Sequence, residues 1–471
     1  MKRIDHIYSN GAFQKPHGQE KFDLINPSDQ TLIGQVILGD VTDTREAIAA
    51  AKAAFTTFSK TTVPERMDYL QRLHDAVLKR VGDLTEATML EYGAPRDRAY
   101  GSNLMAAESF LNYKKVLEDF DFSRTVGTSQ VIMEPLGVVG IITPWNANAA
   151  FICNKLATAI AAGCTAVIKP SELSALQTQI VIECLHEAGL PAGVFSIING
   201  RGDVVGAELT RHPDIAKISF TGSTAVGKAI ARGAVDTLKR VTLELGGKSP
   251  NILLDDADLT KAIPMAVAAC FINSGQACIA GSRLLVPEAQ LETVKELVKK
   301  AIAAVQTGPP SREGVSVGPL ATVRQYERVQ EYIQLGIDEG AEVLIGGTGH
   351  PEGLEAGNFV KPTAFVNVTN TMRIAREEIF GPVLCIITYK TEAEAITIAN
   401  DTDYGLQAYV SSENSERAHR VAGQLVAGRV LVNCLNHDPM APFGGFKQSG
   451  LGREYGVFGL EEYLEPKTII V

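Results

Sequence analysis

Val138-Val139-Gly140-Ile141-Ile142-Thr143-Pro144-Trp145-Asn146 decides the fold class: five apolar residues, closed by a proline-containing turn. So short a run reads as a strand buried on both faces, and it falls far below the length that spans a bilayer. Four runs of the same kind follow at 166–168, 194–198, 215–220 and 241–245, with helix-length segments between them. That alternation predicts βαβ units around a parallel sheet. Ligands of such sheets bind beyond the carboxyl ends of the strands. Asn146, Lys169, Gly222 and Glu244 all stand at or just after such an end, and are expected to line one crevice.

Upstream of these runs, Asn10-Gly11 inside 7–13 carries the dipeptide of a tight hairpin, residues 43–58 show an Ala-rich helical pattern, and helices are expected from 64 to 119. A second alternating block occupies 251 to about 442, with strand-like 252–254, 283–286 and 383–389 and helix-like 291–305. Gly200-Arg201-Gly202-Asp203-Val204-Val205-Gly206 has one residue too many for a dinucleotide fingerprint and reads as a loop entering a helix. Segments 128–134 and 467–471 are β-prone, and an apolar edge of that kind invites pairing with another chain. Neither an internal repeat nor a low-complexity tract is visible.

The 471 residues, 45% of them hydrophobic, suffice for about three domains. A formal charge of −10 opposes binding to a phosphate backbone, so nucleic acid is not an expected partner. The first residues lack the apolar core of a secretory signal, and no run is long enough for a membrane span. Seven scattered cysteines fit neither a disulfide framework nor a metal site, and the expectation is a reducing cytoplasm.

Three polar positions carry the chemistry. Cys278 ends Asn273-Ser274-Gly275-Gln276-Ala277-Cys278, a small and polar run in which the Gly275 turn would let backbone N–H groups approach a bound oxygen. Glu244 lies between Leu243 and Leu245, whose apolar surroundings would raise its pKa toward that of a general base. Asn146 follows the first strand. A thiolate adds to a carbonyl carbon, an amide stabilises the oxyanion, and a carboxylate activates water. Taken singly, Glu244 reads equally well as a buried structural acid and Asn146 as a turn former. Cys153, Cys164, Cys184, Cys270, Cys385 and Cys434 mostly sit beside aliphatic residues and are expected to pack. Phe220-Thr221-Gly222-Ser223 leads into a helix at 224–232 whose first amides would face an anion.

In chain order, these segments resemble the signature motifs of the NAD(P)-dependent aldehyde dehydrogenase superfamily, of the hydrolytic type that does not acylate CoA. The resemblance continues through Lys169-Pro170-Ser171-Glu172, Glu377-Glu378-Ile379-Phe380-Gly381-Pro382, Asn400 to Leu406 and Pro442 to Gly450, and so covers nearly the whole chain. It implies an α/β protein with a Rossmann-like cofactor domain (1–116 and 136–246), a second α/β catalytic domain (247–448), a small β oligomerisation element (117–135 and 461–471) and a return segment (449–460). By the same resemblance Cys278 is the nucleophile, Asn146 and the Cys278 N–H form the oxyanion hole, and Glu244 activates the deacylating water. Trp145, Lys169, Ser171, Glu172, Gly222, Ser223, Gly246, Glu378 and Phe380 are implied to hold the cofactor. Glu172 would take an adenosine ribose hydroxyl and repel a 2′-phosphate, favouring NAD with NADP as the alternative. Glu378 would hold the nicotinamide ribose, with Phe380 near the nicotinamide. No metal is implied. The implied partners are a small-molecule aldehyde and further copies of the chain in a homodimer or homotetramer.

Three rival readings remain. A CoA-acylating semialdehyde dehydrogenase is opposed by Glu244, and a cysteine hydrolase would need a partnered histidine that none of the eight His residues suggests. A noncatalytic structural protein on the same fold would have no use for Cys278, Glu244 and Asn146 together. The substrate segments depart from the family pattern: Ala147-Asn148-Ala149-Ala150-Phe151 and Asn154 thin an expected apolar tunnel, and Asn436-His437-Asp438 makes the mouth polar. These departures predict a polar or carbonyl-rich tail. No arginine stands out as a partner for a carboxylate, and His437 reads more simply as a loop residue.

Overall fold

The computed structural model describes residues 2–470; Met1 and Val471, the outermost positions of the expected cofactor domain and oligomerisation element, lie outside the described residues. The apolar runs form β1 (Val138–Ile142), β2 (Thr165–Lys169), β3 (Phe195–Ile197), β4 (Ile215–Thr221) and β5 (Arg240–Glu244). They lie parallel in the spatial order β5-β4-β1-β2-β3. Their pleat divides the core between two faces. Val139 and Ile141 join one cluster with Phe110, Leu156 and Ile160, whereas Val138 and Ile142 join another with Ile48, Val205 and Ile230. Burial on both faces is the reason the sequence pattern is continuous rather than alternating. The chain steps outward from β1 to β3 and returns to β4 on the other side of β1, so the order reverses between β1 and β4. A crevice opens at such a reversal, with Asn146 following one strand and Gly222 the other.

Antiparallel strands close both edges of this sheet. Ile7–Ser9 and Ala12–Gln14 form the expected hairpin, Asn10 and Gly11 taking the positive φ values of 51° and 78° that its turn demands. At the opposite edge Gly450–Leu451 pairs with β5. A second sheet contains β6 (Pro250–Leu253), β7 (Arg283–Pro287), β8 (Thr363–Val366), β9 (Val383–Tyr389), β10 (Gln407–Ser411) and β11 (Arg429–Val432), parallel in the order β8-β9-β7-β6-β10-β11, with Glu342–Ile345 antiparallel against β8. Ser129–Pro135 stands between Ser123–Val126 and Leu464–Ile469 in a three-stranded antiparallel sheet, so the two β-prone segments pair with each other and each flanking strand keeps one free edge.

Local chemistry moved several boundaries. The first long helix is Val41–Phe58, starting early because the Asp40 carboxylate accepts from the N–H groups of Thr42 and Asp43. The helical stretch to 119 divides into Val63–Lys79, Val81–Glu91 and Arg96–Asp119, broken at Arg80 and by Gly93 (φ 83°) and Pro95. Gly202–Gly206 is not a plain loop but a single π turn that runs into the helix Ala207–Arg211. The sheet of Lys2–Ile4, Leu32–Ile37 and Lys21–Ile25 carried no strong sequence signal, because its strands are short and two of them, Lys2–Ile4 and Lys21–Ile25, are mostly exposed. Among the described residues no helix is long and apolar enough to cross a membrane.

Candidate active site

Two cavities meet at Cys278. One, of about 460 Å³, runs past Pro144, Trp145, Gly222, Ser223, Gly246, Glu378 and Phe380; the other, of about 240 Å³, lies between Ala147, Ala150, Tyr409, Leu431 and Tyr455. Asn146, Phe151, Thr221, Glu244 and Cys278 line both. The cysteine, acid and amide singled out by sequence are therefore brought together at a junction, although they arrive from the turn after β1, the end of β5 and the loop before β7.

The Cys278 loop is held in an unusual backbone path. Asn273, Ser274 and Gly275 have successive φ values of 57°, 59° and 73°. Such left-handed geometry is costly for the two non-glycine residues and persists because neighbours fix it. Asn273 Nδ2 donates to the Asn146 carbonyl at 3.0 Å, Asn146 Nδ2 donates to the Gln276 carbonyl at 3.0 Å, and Ser274 Oγ accepts from Gly318 N at 2.9 Å. A Cβ on Gly275 would lie 2.1 Å from the Gly381 carbonyl, so this glycine admits the segment following Phe380. Gly275→Ala is accordingly expected to lower stability by about 2–4 kcal/mol, combining positive-φ strain with a backbone clash, and urea unfolding against wild type measures this. The paired glycines after Glu244 do permit close approach. A Cβ on Gly247 would sit 2.3 Å from the Cys278 carbonyl oxygen, and one on Gly246 2.5 Å from the Glu378 carboxylate.

Burial sets the protonation states. Cys278 retains partial exposure, yet desolvation, reinforced by Glu378 and Glu244, pushes its thiol up to about 12. These effects favour the thiol over the thiolate. Glu244 is 3% exposed and neither carboxylate oxygen has a hydrogen-bond partner. Burial first, and then Glu454, raise it well above the ordinary carboxylic range. Behind it Lys155 is pinned between Ser219 Oγ, at 3.0 Å, and the Glu454 carboxylate. Glu378 is pushed up to about 7 by burial, although one oxygen accepts from Gly247 N at 3.0 Å.

The larger cavity has the features a dinucleotide requires. Gly222, Ser223, Thr224 and Ala225, at the start of the helix Thr224–Ala234, line it, and Ser223 Oγ caps that helix through Val226 N. Phe380 adopts a φ of 64° and meets Trp145 edge-on, with ring centroids 5.7 Å apart. Gln325 holds this strained residue by donating to the Ile379 and Phe380 carbonyls at 3.2 and 2.9 Å. Lys169, Ser171 and Glu172 do not line the cavity. Lys169 is buried beside β1 and places Nζ 2.9 Å from Glu172, and Ser171 Oγ accepts from Leu173 N at 3.3 Å. Sequence reasoning missed Gln325 and Arg328, which sit on the helix Val323–Asp338 and give no local signal, and it singled out neither Thr221 nor Tyr404 although both lie within quoted segments.

The smaller cavity corrects the substrate expectations. Asn148 turns away to Thr178 Oγ1 at 3.0 Å and Asn154 to Glu454 at 3.4 Å, so neither lines it; Ala147, Ala150 and Phe151 do. Two arginines appear instead, Arg98 from the first turn of the helix Arg96–Asp119 and Arg429 from the start of β11. His437 is not a plain loop residue, because its Nδ1 lies 2.8 Å from Arg429 Nη1 and its ring packs edge-on against Tyr455.

The model of the Aldehyde dehydrogenase family matches residues 13–469. The chain is 44% identical to a 3-succinoylsemialdehyde-pyridine dehydrogenase of Pseudomonas sp., covering 100% of this chain and 99% of that protein. Its structure superposes with a TM-score of 0.98 on a cysteine-to-alanine variant of aldehyde dehydrogenase C from Pseudomonas syringae in complex with NAD+ and octanal, at 44% identity and over 100% and 98% of the two chains. It superposes at 0.96 on betaine aldehyde dehydrogenase from Staphylococcus aureus in complex with NAD+, at 34% identity and over 99% and 94%. A doubly wound sheet, a second parallel sheet and a cysteine, acid and amide at the meeting of two cavities accompany sequence identity along the full length: this chain belongs to the aldehyde dehydrogenase family.

Proposed function

We propose that this protein oxidises an aldehyde to the corresponding carboxylic acid with NAD+ as oxidant, using Cys278 as nucleophile, Asn146 as oxyanion donor and Glu244 as base. The observation that carries the reading is the placement of these three groups at the junction of the cavities, one suited to a dinucleotide and the other to a small organic substrate. The aldehyde enters the smaller cavity with its carbonyl at Cys278 Sγ. As the sulfur adds, its proton passes to solvent and a thiohemiacetal forms, whose oxyanion takes hydrogen bonds from the Asn146 amide and the Cys278 N–H. Each such donor is worth on the order of 10²–10³ in rate. Bound NAD+ would supply the acceptor to which the former aldehyde hydrogen leaves carbon with its two electrons. The thioester left on Cys278 is attacked by water, from which Glu244 removes a proton, and the acid departs as the thiol is restored.

The start of the helix Thr224–Ala234, with Gly222 and Ser223, faces the pyrophosphate in this reading. Glu378, admitted by Gly246, takes the nicotinamide ribose, and Trp145 and Phe380 flank the ring. Lys169, Ser171 and Glu172 hold the adenosine ribose from beside the cavity; Lys169 offsets part of the Glu172 charge, leaving a preference for NAD rather than exclusion of NADP. Residues 1–116 and 136–246 then serve the cofactor and 247–448 the chemistry, with 449–460 returning to the first sheet. The free edges of the sheet in 117–135 and 461–471 support self-association into a homodimer or homotetramer.

Absorbance of reduced cofactor over a panel of aldehydes, with NAD+ and NADP+ in turn, tests the reading. Turnover with NAD+ exceeding that with NADP+ is expected. Failure of every aldehyde with both cofactors refutes it.

A further inference from the structure

We propose that the smaller cavity is built for a short aldehyde carrying a carboxylate at its far end, with Arg98, Arg429 and His437 as the groups that recognise the anion; this rests on the dehydrogenase reading above. Arg98 lines the cavity, and its Nε is buried without a hydrogen-bond partner. The groups acting on its charge are Tyr92, Cys278 and Tyr455, with no carboxylate among them. Arg429 is likewise desolvated, and its side-chain partners are Gln407 and His437, neither of them a counter-charge. A half-buried cation without a counter-charge is costly, and a protein that keeps two in one cavity gains when an anion enters.

The hydrogen bonds orient these groups. Arg429 Nε donates to Gln407 Oε1 at 2.7 Å and its guanidinium lies over the Phe443 ring at 5.0 Å, fixing the fork in place. Because arginine only donates, His437 Nδ1 must accept the 2.8 Å bond from Nη1, which puts the imidazole proton on Nε2. That Nε2 is buried without a partner and lines the same cavity. Burial and Arg429 push His437 down to about 4, so it is a neutral donor at physiological pH. The acids present do not pair with the arginines: Glu454 is paired with Lys155, and neither Glu244 carboxylate oxygen has a hydrogen-bond partner. Two guanidinium groups and an imidazole N–H, beside the apolar Ala147, Ala150 and Phe151, suit a carboxylate on a short aliphatic stem. The volume of about 240 Å³ favours a small substrate.

The test compares kcat/KM for 4-oxobutanoate and 5-oxopentanoate with the methyl esters of the same acids, and with pentanal and octanal. Wild type is expected to favour each free acid over its ester by about 10–100-fold, chiefly through KM. In Arg98→Met and Arg429→Met that preference ratio should fall about tenfold or more, with Arg→Lys at either site recovering part of it. Esters oxidised as well as the acids by wild type overturn the proposal, as does an unchanged ratio in both methionine variants when circular dichroism shows them folded. The wild-type comparison stands even where a variant fails to fold. Oxidation of neutral aldehydes without preference for the acids removes this proposal alone, whereas failure of all aldehydes removes the dehydrogenase reading with it.

Discussion

Cys278→Ser is expected to lower steady-state NADH formation by on the order of 10⁴-fold or more, and to remove any pre-steady-state burst, with no change in far-UV circular dichroism. A serine hydroxyl in the same buried position holds its proton far more tightly than a thiol, so no covalent adduct forms and oxidation has no starting point. No other cysteine can substitute. Cys153, Cys164, Cys184, Cys270 and Cys385 are buried in the core, and Cys434 packs with Ala269, Tyr409 and Leu431. Substantial turnover by the variant would remove Cys278 as nucleophile. The raised thiol pKa adds a pH signature: without cofactor, iodoacetamide should label Cys278 slowly at neutral pH and faster by about tenfold per unit of pH up to its pKa near 12. Labelling that is fast and flat from pH 6 to 9 would show a resting thiolate instead.

Glu244→Gln is expected to separate the two halves of the reaction. In the proposed reaction acylation and oxidation need Cys278 and Asn146, so one equivalent of NADH per site should still appear, while the steady-state rate falls by about 10²–10⁴-fold because water lacks its base. Stopped-flow absorbance reads both phases, and an undiminished steady state would eliminate Glu244 as the base. Wild-type deacylation should also rise with pH, since the base works only when ionised and its pKa is raised by burial and Glu454. The variant should lose that dependence. Stability moves the opposite way. In the unfolded chain Glu244 ionises in the ordinary carboxylic range while burial and Glu454 raise its pKa in the folded chain, so its contribution to stability is full below that range and declines as pH rises toward the folded pKa. Glu244→Gln should therefore raise Tm at pH 7–8 and hardly alter it near pH 4, a gain in stability at the expense of function.

The first sheet was legible because strands buried on both faces must be apolar throughout, and β1, β2 and β4 appear almost residue for residue as their runs suggest. The hairpin at Asn10-Gly11 was legible for another local reason, since few dipeptides tolerate two positive φ values. Exposed short strands such as Lys2–Ile4 lack either constraint and passed unnoticed. At the site, Cys278, Glu244 and Asn146 stand out because each sits in a segment of distinctive local composition. Arg98 and Arg429 sit in ordinary helical and strand sequence, and Asn148 and Asn154, which looked like cavity residues, spend their amides on Thr178 and Glu454.

The sequence alone determined the parallel architecture, the segments that carry Cys278, Glu244 and Asn146, and the helix start after Ser223, because strand burial, turns and caps depend on neighbours along the chain. Tertiary structure alone decided the desolvation of Cys278 and Glu244, the close approach of Gly275 to Gly381 and the cationic lining of the smaller cavity. Desolvation, the clash at Gly381 and the meeting of Arg98 with Arg429 are properties of distance in space, to which segments far apart in the chain contribute together.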